Sequence, residues 1–183
     1  MIRTYLTNTT SANIRESECR VVTREICYPA ISSCISITLV NANIMVGIHC
    51  TVANTAHEIR NVMCEIKRTI AEEFTDCYVV GALPIFKSSV FDHSISTRKK
   101  ISNVIRPHIK ILNSIKFHDT TMHPNINKNA HIFIRNAPFS ISYCAAVKCL
   151  VSGQIPPLSF GRQYIPSHQF TKVNSISNMI LCL

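Results

Sequence analysis

The sequence lacks the cysteine spacing of a disulfide framework or a zinc finger. Its 183 residues include nine cysteines, but no two of them form a C-x-x-C pair. Because the number is odd, a closed set of disulfides is disfavoured, and reduced thiols in a cytosolic compartment are the simpler interpretation. The sequence also has no Gly-rich phosphate loop and no internal repeat. These absences exclude the P-loop, zinc-finger and repeat classes of protein.

The N-terminal region lacks an apolar segment after its first charge, so it does not have the form of a secretory signal peptide. The more apolar stretch 26–50 is interrupted by a proline, paired serines and two asparagines, which predicts strands and no membrane span. Residues 1–18 are rich in Thr, Ser and Asn without clear periodicity. We expect a mobile polar leader there, followed by a single domain over 19–183.

Acidic residues are nearly absent from the second half of the chain. Residues 1–92 carry a net charge of −1, whereas 93–183 carry +10 and contain one acid, Asp119. Such a basic half suits an acidic protein surface, nucleic acid or an anionic membrane, and a solvated basic face is the plain alternative. Since the glycine-aromatic signature of an RNA-binding sheet is missing, we do not expect nucleic acid as a partner.

The chain is otherwise apolar enough to fold, with 46% hydrophobic residues and a mean hydropathy of +0.17. Its centre is the stretch 32–51, SSCISITLVNANIMVGIHCT. Two β-branched runs, 34–40 and 44–49, flank a polar break, which predicts a β-hairpin. The predicted register pairs Leu39 with Ile44, Ile37 with Val46, Ile35 with Ile48 and Cys34 with His49.

In that register Cys34 and His49 lie on the face opposite the isoleucines. Directly opposed residues have Cβ atoms roughly 4.5–5.5 Å apart, close enough for a thiol and an imidazole to interact. A neighbouring imidazole favours the nucleophilic thiolate. The competing interpretation is that both residues are inert members of a core, as buried cysteines often are.

The remaining pattern predicts an α/β fold, with a mixed, largely antiparallel sheet flanked by two helices. Thr55 and Glu58 form a capping box before a helix over 56–75. A buried strand is expected over 77–86, then a strongly basic second helix with Pro107 as its kink or break. Two further strands are expected at 131–135 and 139–151. In the polar loop 118–130, His118, Asp119 and His123 do not complete a ligand set, so we predict no metal site and no cofactor.

The serine-containing turn, the strand beginning at Cys34, the strand ending in His49 and the following amphipathic helix resemble a known group of enzymes. These are the catalytic domain of cytotoxic necrotizing factor toxins and the chemotaxis receptor glutamine deamidases. In both, a histidine on the neighbouring strand follows the cysteine by about fifteen residues, and fifteen residues separate Cys34 from His49 here. The match covers roughly residues 28–86. Ser33 stands where the toxins have glycine, and Tyr28 where the chemotaxis enzymes have an orienting threonine.

This resemblance implies a protein-glutamine deamidase with a catalytic pair of Cys34 and His49. It places oxyanion donors in the turn of Ser32 and Ser33, with Tyr28 as the candidate orienting group. The substrate would be a host signalling protein such as a small GTPase. Because the leader has the polar composition of export signals of bacterial injected effectors, we expect secretion into host cytosol without a cleaved signal peptide. Otherwise the protein is cytoplasmic.

Two alternatives remain. A cysteine protease or transglutaminase-type effector would use related chemistry, the protease with Cys144 and His131. A non-enzymatic adaptor would instead bind an acidic partner through Lys99, Lys100 and Arg106 and would not need the catalytic pair.

Overall fold

The computed structural model describes residues 1–86, 97–122, 130–145 and 162–174. Within these ranges the chain forms ten strands and two α-helices. The strands are β1 (Arg3–Asn13), β2 (Glu18–Ile31), β3 (Ile35–Val40), β4 (Met45–Cys50), β5 (Phe74–Gly81), β6 (Ile111–Asp119), β7 (Ala130–Arg135), β8 (Ser140–Ala145), β9 (Gln163–Tyr164) and β10 (Thr171–Asn174). The helices are α1 (Ala56–Thr69) and α2 (Thr97–Ile105).

All ten strands belong to one curled sheet, in the order β10-β6-β5-β3-β4-β2-β7-β8-β9, with β1 beside β2. Two of the pairings, β1 with β2 and β5 with β6, are parallel. The others are antiparallel. The predicted α/β class, with a largely antiparallel sheet and two helices, is confirmed.

The helices cover the outer face of the sheet. Ile37 of β3 and Ile48 of β4 belong to the same apolar core as Ile59 and Met63 of α1 and Ile101 of α2. The alternating apolar residues of β3 and β4 therefore face the helices, as the two-residue period of a strand requires. Thr55 caps α1 through the capping box, with the Glu58 amide donating to the Thr55 hydroxyl at 3.1 Å.

The sheet curls because β2 belongs to two parts of it. Its residues 18–22 pair with β4, whereas 25–31 pair with β7. The second half passes over the inner face of the hairpin, where the Tyr28 hydroxyl lies 2.6 Å from Thr38 Oγ1 and 3.3 Å from the Ile37 carbonyl oxygen. A second apolar core fills this curl, with Met45 on one side and Ile132 on the other.

The predicted hairpin register is wrong by two residues. In the structure Leu39 pairs with Val46, Ile37 with Ile48 and Ile35 with Cys50, so that Ser36 pairs with His49. The cause is Asn41, whose Oδ1 accepts hydrogen bonds from the amides of Asn43 and Ile44 at 2.8 Å. Asn41 directly follows β3 and closes the hairpin, because its amide donates to the Ile44 carbonyl at 3.0 Å, and Ala42 and Asn43 form the loop.

Two helix boundaries also differ from the prediction. α1 ends at Thr69, because Ile70 has an extended backbone as its C-cap, and Phe74 begins β5. In sequence, Ile70 and Phe74 continue the apolar spacing of the helix, which predicts an end at residue 75. α2 ends at Ile105, before Pro107, and residues from Ile111 onward form a strand. The predicted strand 139–151 is β8 as far as residue 145, and the rest of it lies outside the described residues.

The prediction of a mobile leader over residues 1–18 is wrong, because Arg3–Asn13 forms strand β1, which pairs with β2. Its residues are mostly exposed, so the apolar periodicity that announces a strand in sequence is absent. Backbone pairing with β2 holds these residues in a strand. Ile2 and Ile14, which flank β1, are buried and fix its two ends.

Gly47 permits the close approach of β2 to the hairpin. A methyl group there would overlap both Ile14 Cδ1 and the Tyr28 hydroxyl oxygen. We predict that Gly47→Ala lowers the free energy of unfolding by about 1–3 kcal/mol, the usual cost of overpacking. Chemical denaturation measures this change. In a Tyr28→Phe background the same substitution should cost less, and an equal cost in both backgrounds would contradict the assignment.

Candidate active site

His49 lies on the inner face of the sheet, at the end of the hairpin opposite its loop, and Cys34 directly precedes β3 at the same end. Since Ser36 pairs with His49, Cys34 occupies the diagonal position two residues before Ser36. A shift of two residues preserves the face, and diagonal neighbours lie roughly 7–8 Å apart. Both residues are buried, with Cys34 3% and His49 0% exposed. The described residues include no hydrogen bond between the thiol and the imidazole.

The imidazole of His49 is oriented by a backbone carbonyl. Its Nδ1 lies 2.9 Å from the oxygen of Ile14, in the link between β1 and β2. Because a carbonyl oxygen only accepts, Nδ1 must carry the proton, and in the neutral ring Nε2 then carries the lone pair. This Nε2 is buried and has no hydrogen-bond partner in the described part of the chain. It is therefore available as a base.

Burial lowers the pKa of His49, while the hydrogen bond to Ile14 and the carboxylates of Glu16 and Glu18 act in the opposite direction. Desolvation disfavours the charged imidazolium. The net lowering means that His49 is neutral at pH 7, the state in which Nε2 accepts a proton.

The thiol of Cys34 is protonated in this state. Burial, together with the charge and hydrogen bond of Glu16, raises its pKa to about 11. The Sγ–H donates to Glu16 Oε1 at 3.7 Å. A hydrogen bond with the side chain of Ser33 acts in the opposite direction and favours the thiolate. In the resting state the thiol and the imidazole are therefore both neutral, and no ion pair is preformed.

The turn before Cys34 is shaped by a close backbone approach from β5. The Cys34 carbonyl accepts a hydrogen bond from the Ala82 amide at 3.2 Å. Gly81 has a φ of +153°, and a Cβ there would overlap the Cys34 carbonyl oxygen. In this turn Ser32 is exposed and Ser33 is half-buried beside the sulfur.

Tyr28, the orienting group suggested by sequence, contacts His49 through its ring. The two rings are nearly perpendicular, with centroids 5.9 Å apart. Its hydroxyl group bonds to β3, not to the imidazole. The hydrogen bond that orients His49 comes from the carbonyl of Ile14, which sequence reasoning missed because every residue has a backbone carbonyl.

A second thiol–imidazole pair offers a comparison. Cys144 and His131 are directly opposed in the pairing of β8 with β7. However, the Ala30 amide donates to His131 Nδ1 at 3.1 Å, so the proton of this neutral ring must sit on Nε2. That Nε2 is a donor and is not able to accept a thiol proton. Between these two pairs, Cys34 and His49 have the tautomer suited to base catalysis. A third thiol–imidazole pair is exposed on the surface, where Cys64 Sγ lies 3.4 Å from His108 Nδ1.

The described ranges, 1–86, 97–122, 130–145 and 162–174, were compared with the requirements of a metal site and of a membrane span through the residues they contain. They contain no group of three residues able to hold a metal ion. His118 and Asp119 end β6, and His123 lies outside the described residues. No helix in them combines the length and apolar character needed to span a membrane. No protein-family model and no curated protein matches this sequence.

We predict that Glu16→Gln lowers the pKa of Cys34 below about 11, because it removes a negative charge next to the sulfur. The pH dependence of alkylation by iodoacetamide, followed on the Cys34 peptide by mass spectrometry, measures this value. Peptide resolution is needed because Cys64 is exposed and reacts independently. Glu72→Gln, at the loop end of the hairpin, is the control and should leave the titration unchanged. An unshifted Cys34 in Glu16→Gln would refute the contact.

Proposed function

We propose that this protein is a cysteine-dependent amide hydrolase that deamidates glutamine side chains of a protein substrate. The observation that supports the proposal best is the buried Nε2 lone pair of His49, whose ring is oriented by the Ile14 carbonyl at the end of the hairpin where Cys34 precedes β3. The same order of turn, cysteine strand and histidine strand underlies the resemblance to the toxin and chemotaxis deamidases.

In the proposed reaction, the Cys34 proton moves to His49 Nε2 as the sulfur attacks the carboxamide carbon. The backbone amides of Ser33 and Cys34 stabilise the oxyanion. When the C–N bond breaks, the imidazolium gives its proton to the leaving ammonia. A water molecule, deprotonated by His49, then hydrolyses the thioester, which yields glutamate and the free thiol. If an amine replaces this water, the product is a transglutaminated substrate.

The protonation states of the site require proton transfer and attack to be coupled. Since the Cys34 pKa is raised and the His49 pKa is lowered, the ion pair is the less stable state of the free protein. A substrate that displaces the exposed Glu16 carboxylate from the sulfur removes one cause of the raised pKa. Substrate binding is therefore part of the activation that we propose.

For the substrate we propose a host signalling protein such as a small GTPase, reached by secretion without a cleaved signal peptide. This choice follows from the resemblance to the toxins. The net charge of +10 over residues 93–183 supports an acidic surface on the partner. The adaptor alternative uses the same charge, including Lys99 and Lys100 of α2, but has no need of the hydrogen bond between His49 and Ile14.

The proposal predicts conversion of glutamine to glutamate in a panel of purified small GTPases and glutamine peptides, read by peptide mass spectrometry. Cys34→Ser should abolish conversion. His49→Gln should lower kcat by about 10²–10⁴, the usual contribution of a general base.

Cys144→Ser is the matched control, because it removes the other cysteine that opposes a histidine, and it should retain full activity. Equal conversion by the wild type and Cys34→Ser would overturn the assignment. Cleaved peptides that depend on Cys144 would point to the protease alternative. Binding without conversion, lost on substitution of Lys99 and Lys100, would favour the adaptor.

A further inference from the structure

A second concave site lies away from Cys34, where the two ends of the curled sheet approach each other. It is a cleft of about 500 Å³ between β5, β6 and β10 on one side and β8 and β9 on the other. This volume is within the range of small-molecule sites, about 300–1,000 Å³. We refer to it as the aromatic cleft, and its defining residues are Tyr78, Lys116, Phe139, Tyr164, Phe170 and Lys172.

The aromatic rings of this cleft are arranged around Tyr78. Phe139 lies over it with ring centroids 4.7 Å apart, and Phe170 meets it edge-on at 5.5 Å. Phe139 is 41% exposed, and Tyr164, on the neighbouring strand β9, is 66% exposed. Large aromatic rings left this open to solvent are characteristic of surfaces that stack on a ligand.

The cleft is also cationic. Lys116 of β6 and Lys172 of β10 are directly opposed in the antiparallel ladder, where like charges are destabilising. Lys116 forms an ion pair with Asp76 at 2.9 Å and donates to the Tyr78 hydroxyl at 3.0 Å. No Asp or Glu is among the described residues that line the cleft. Asp76 pairs with Lys116 from outside the lining, so the two opposed lysines leave the cleft with a net positive charge that a bound anion would neutralise.

We propose that the aromatic cleft binds a nucleoside phosphate. The base stacks on the rings of Tyr164 and Phe139, and the phosphate lies between Lys116 and Lys172. A nucleotide combines the planar ring and the compact negative charge that this lining requires. The proposal is independent of Cys34 and His49 and adds a ligand site to the proposed deamidase.

The test is isothermal titration calorimetry, which measures the affinity of the full chain for each of the four nucleoside monophosphates. The matching nucleosides lack the phosphate, and inorganic phosphate lacks the base. Each should bind at least about tenfold more weakly than the best nucleotide. Tyr164→Ala should weaken nucleotide binding by about tenfold through lost stacking. Lys172→Ala should weaken it and flatten its salt dependence. Both residues are exposed, so neither substitution threatens the fold.

The control variants are Tyr5→Ala and Lys67→Ala, which remove an exposed ring and an exposed ammonium group outside the cleft and should leave affinity unchanged. Absence of binding by all four nucleotides at millimolar concentration overturns the proposal. Nucleotide binding that is unchanged in Tyr164→Ala and Lys172→Ala also overturns the proposal. The same holds if inorganic phosphate alone binds as tightly as the nucleotides. A short single-stranded oligonucleotide that binds more tightly, with the same sensitivity to both variants, identifies a nucleic-acid strand as the source of the nucleotide.

Discussion

The packing of β2 across the bare backbone at Gly47 is the constraint on which both the fold and the candidate site depend. Because Gly47 has no side chain, Ile14 and Tyr28 approach β4 closely. Tyr28 then bonds to β3 through its hydroxyl group and closes the inner core. The same approach brings the Ile14 carbonyl to 2.9 Å from His49 Nδ1. One small residue thereby couples the curl of the sheet to the tautomer of a histidine.

The ring nitrogen that carries the proton distinguishes a histidine able to act as a base from a structural histidine. Proximity to a cysteine distinguishes them less well. His131 directly opposes a cysteine, whereas His49 is only diagonal to one. Yet an amide donor fixes the proton of His131 on Nε2, and a carbonyl acceptor fixes that of His49 on Nδ1. The raised pKa of Cys34 adds a further condition, since activation of its thiol requires a change at Glu16.

Period-two and helical patterning predicted the α/β class, both hairpin arms and the capped start of α1. The pairing register of the hairpin could not be predicted from sequence, because it depends on the hydrogen bonds that the Asn41 side chain accepts. A two-residue shift leaves the apolar alternation unchanged. Strand β1 was missed because backbone pairing orders its exposed polar residues. The Ile14 carbonyl has no side-chain signature, so only the path of the folded chain shows that it meets His49.

The central claim is that His49 is a neutral imidazole with its proton on Nδ1 and a free lone pair on Nε2. A two-bond proton–nitrogen correlation NMR spectrum at pH 7 reads this directly, with His131 as internal reference. The structure predicts a protonated Nδ1 for His49 and a protonated Nε2 for His131. A His49 resonance with the proton on Nε2, or a doubly protonated ring at pH 7, would contradict the account.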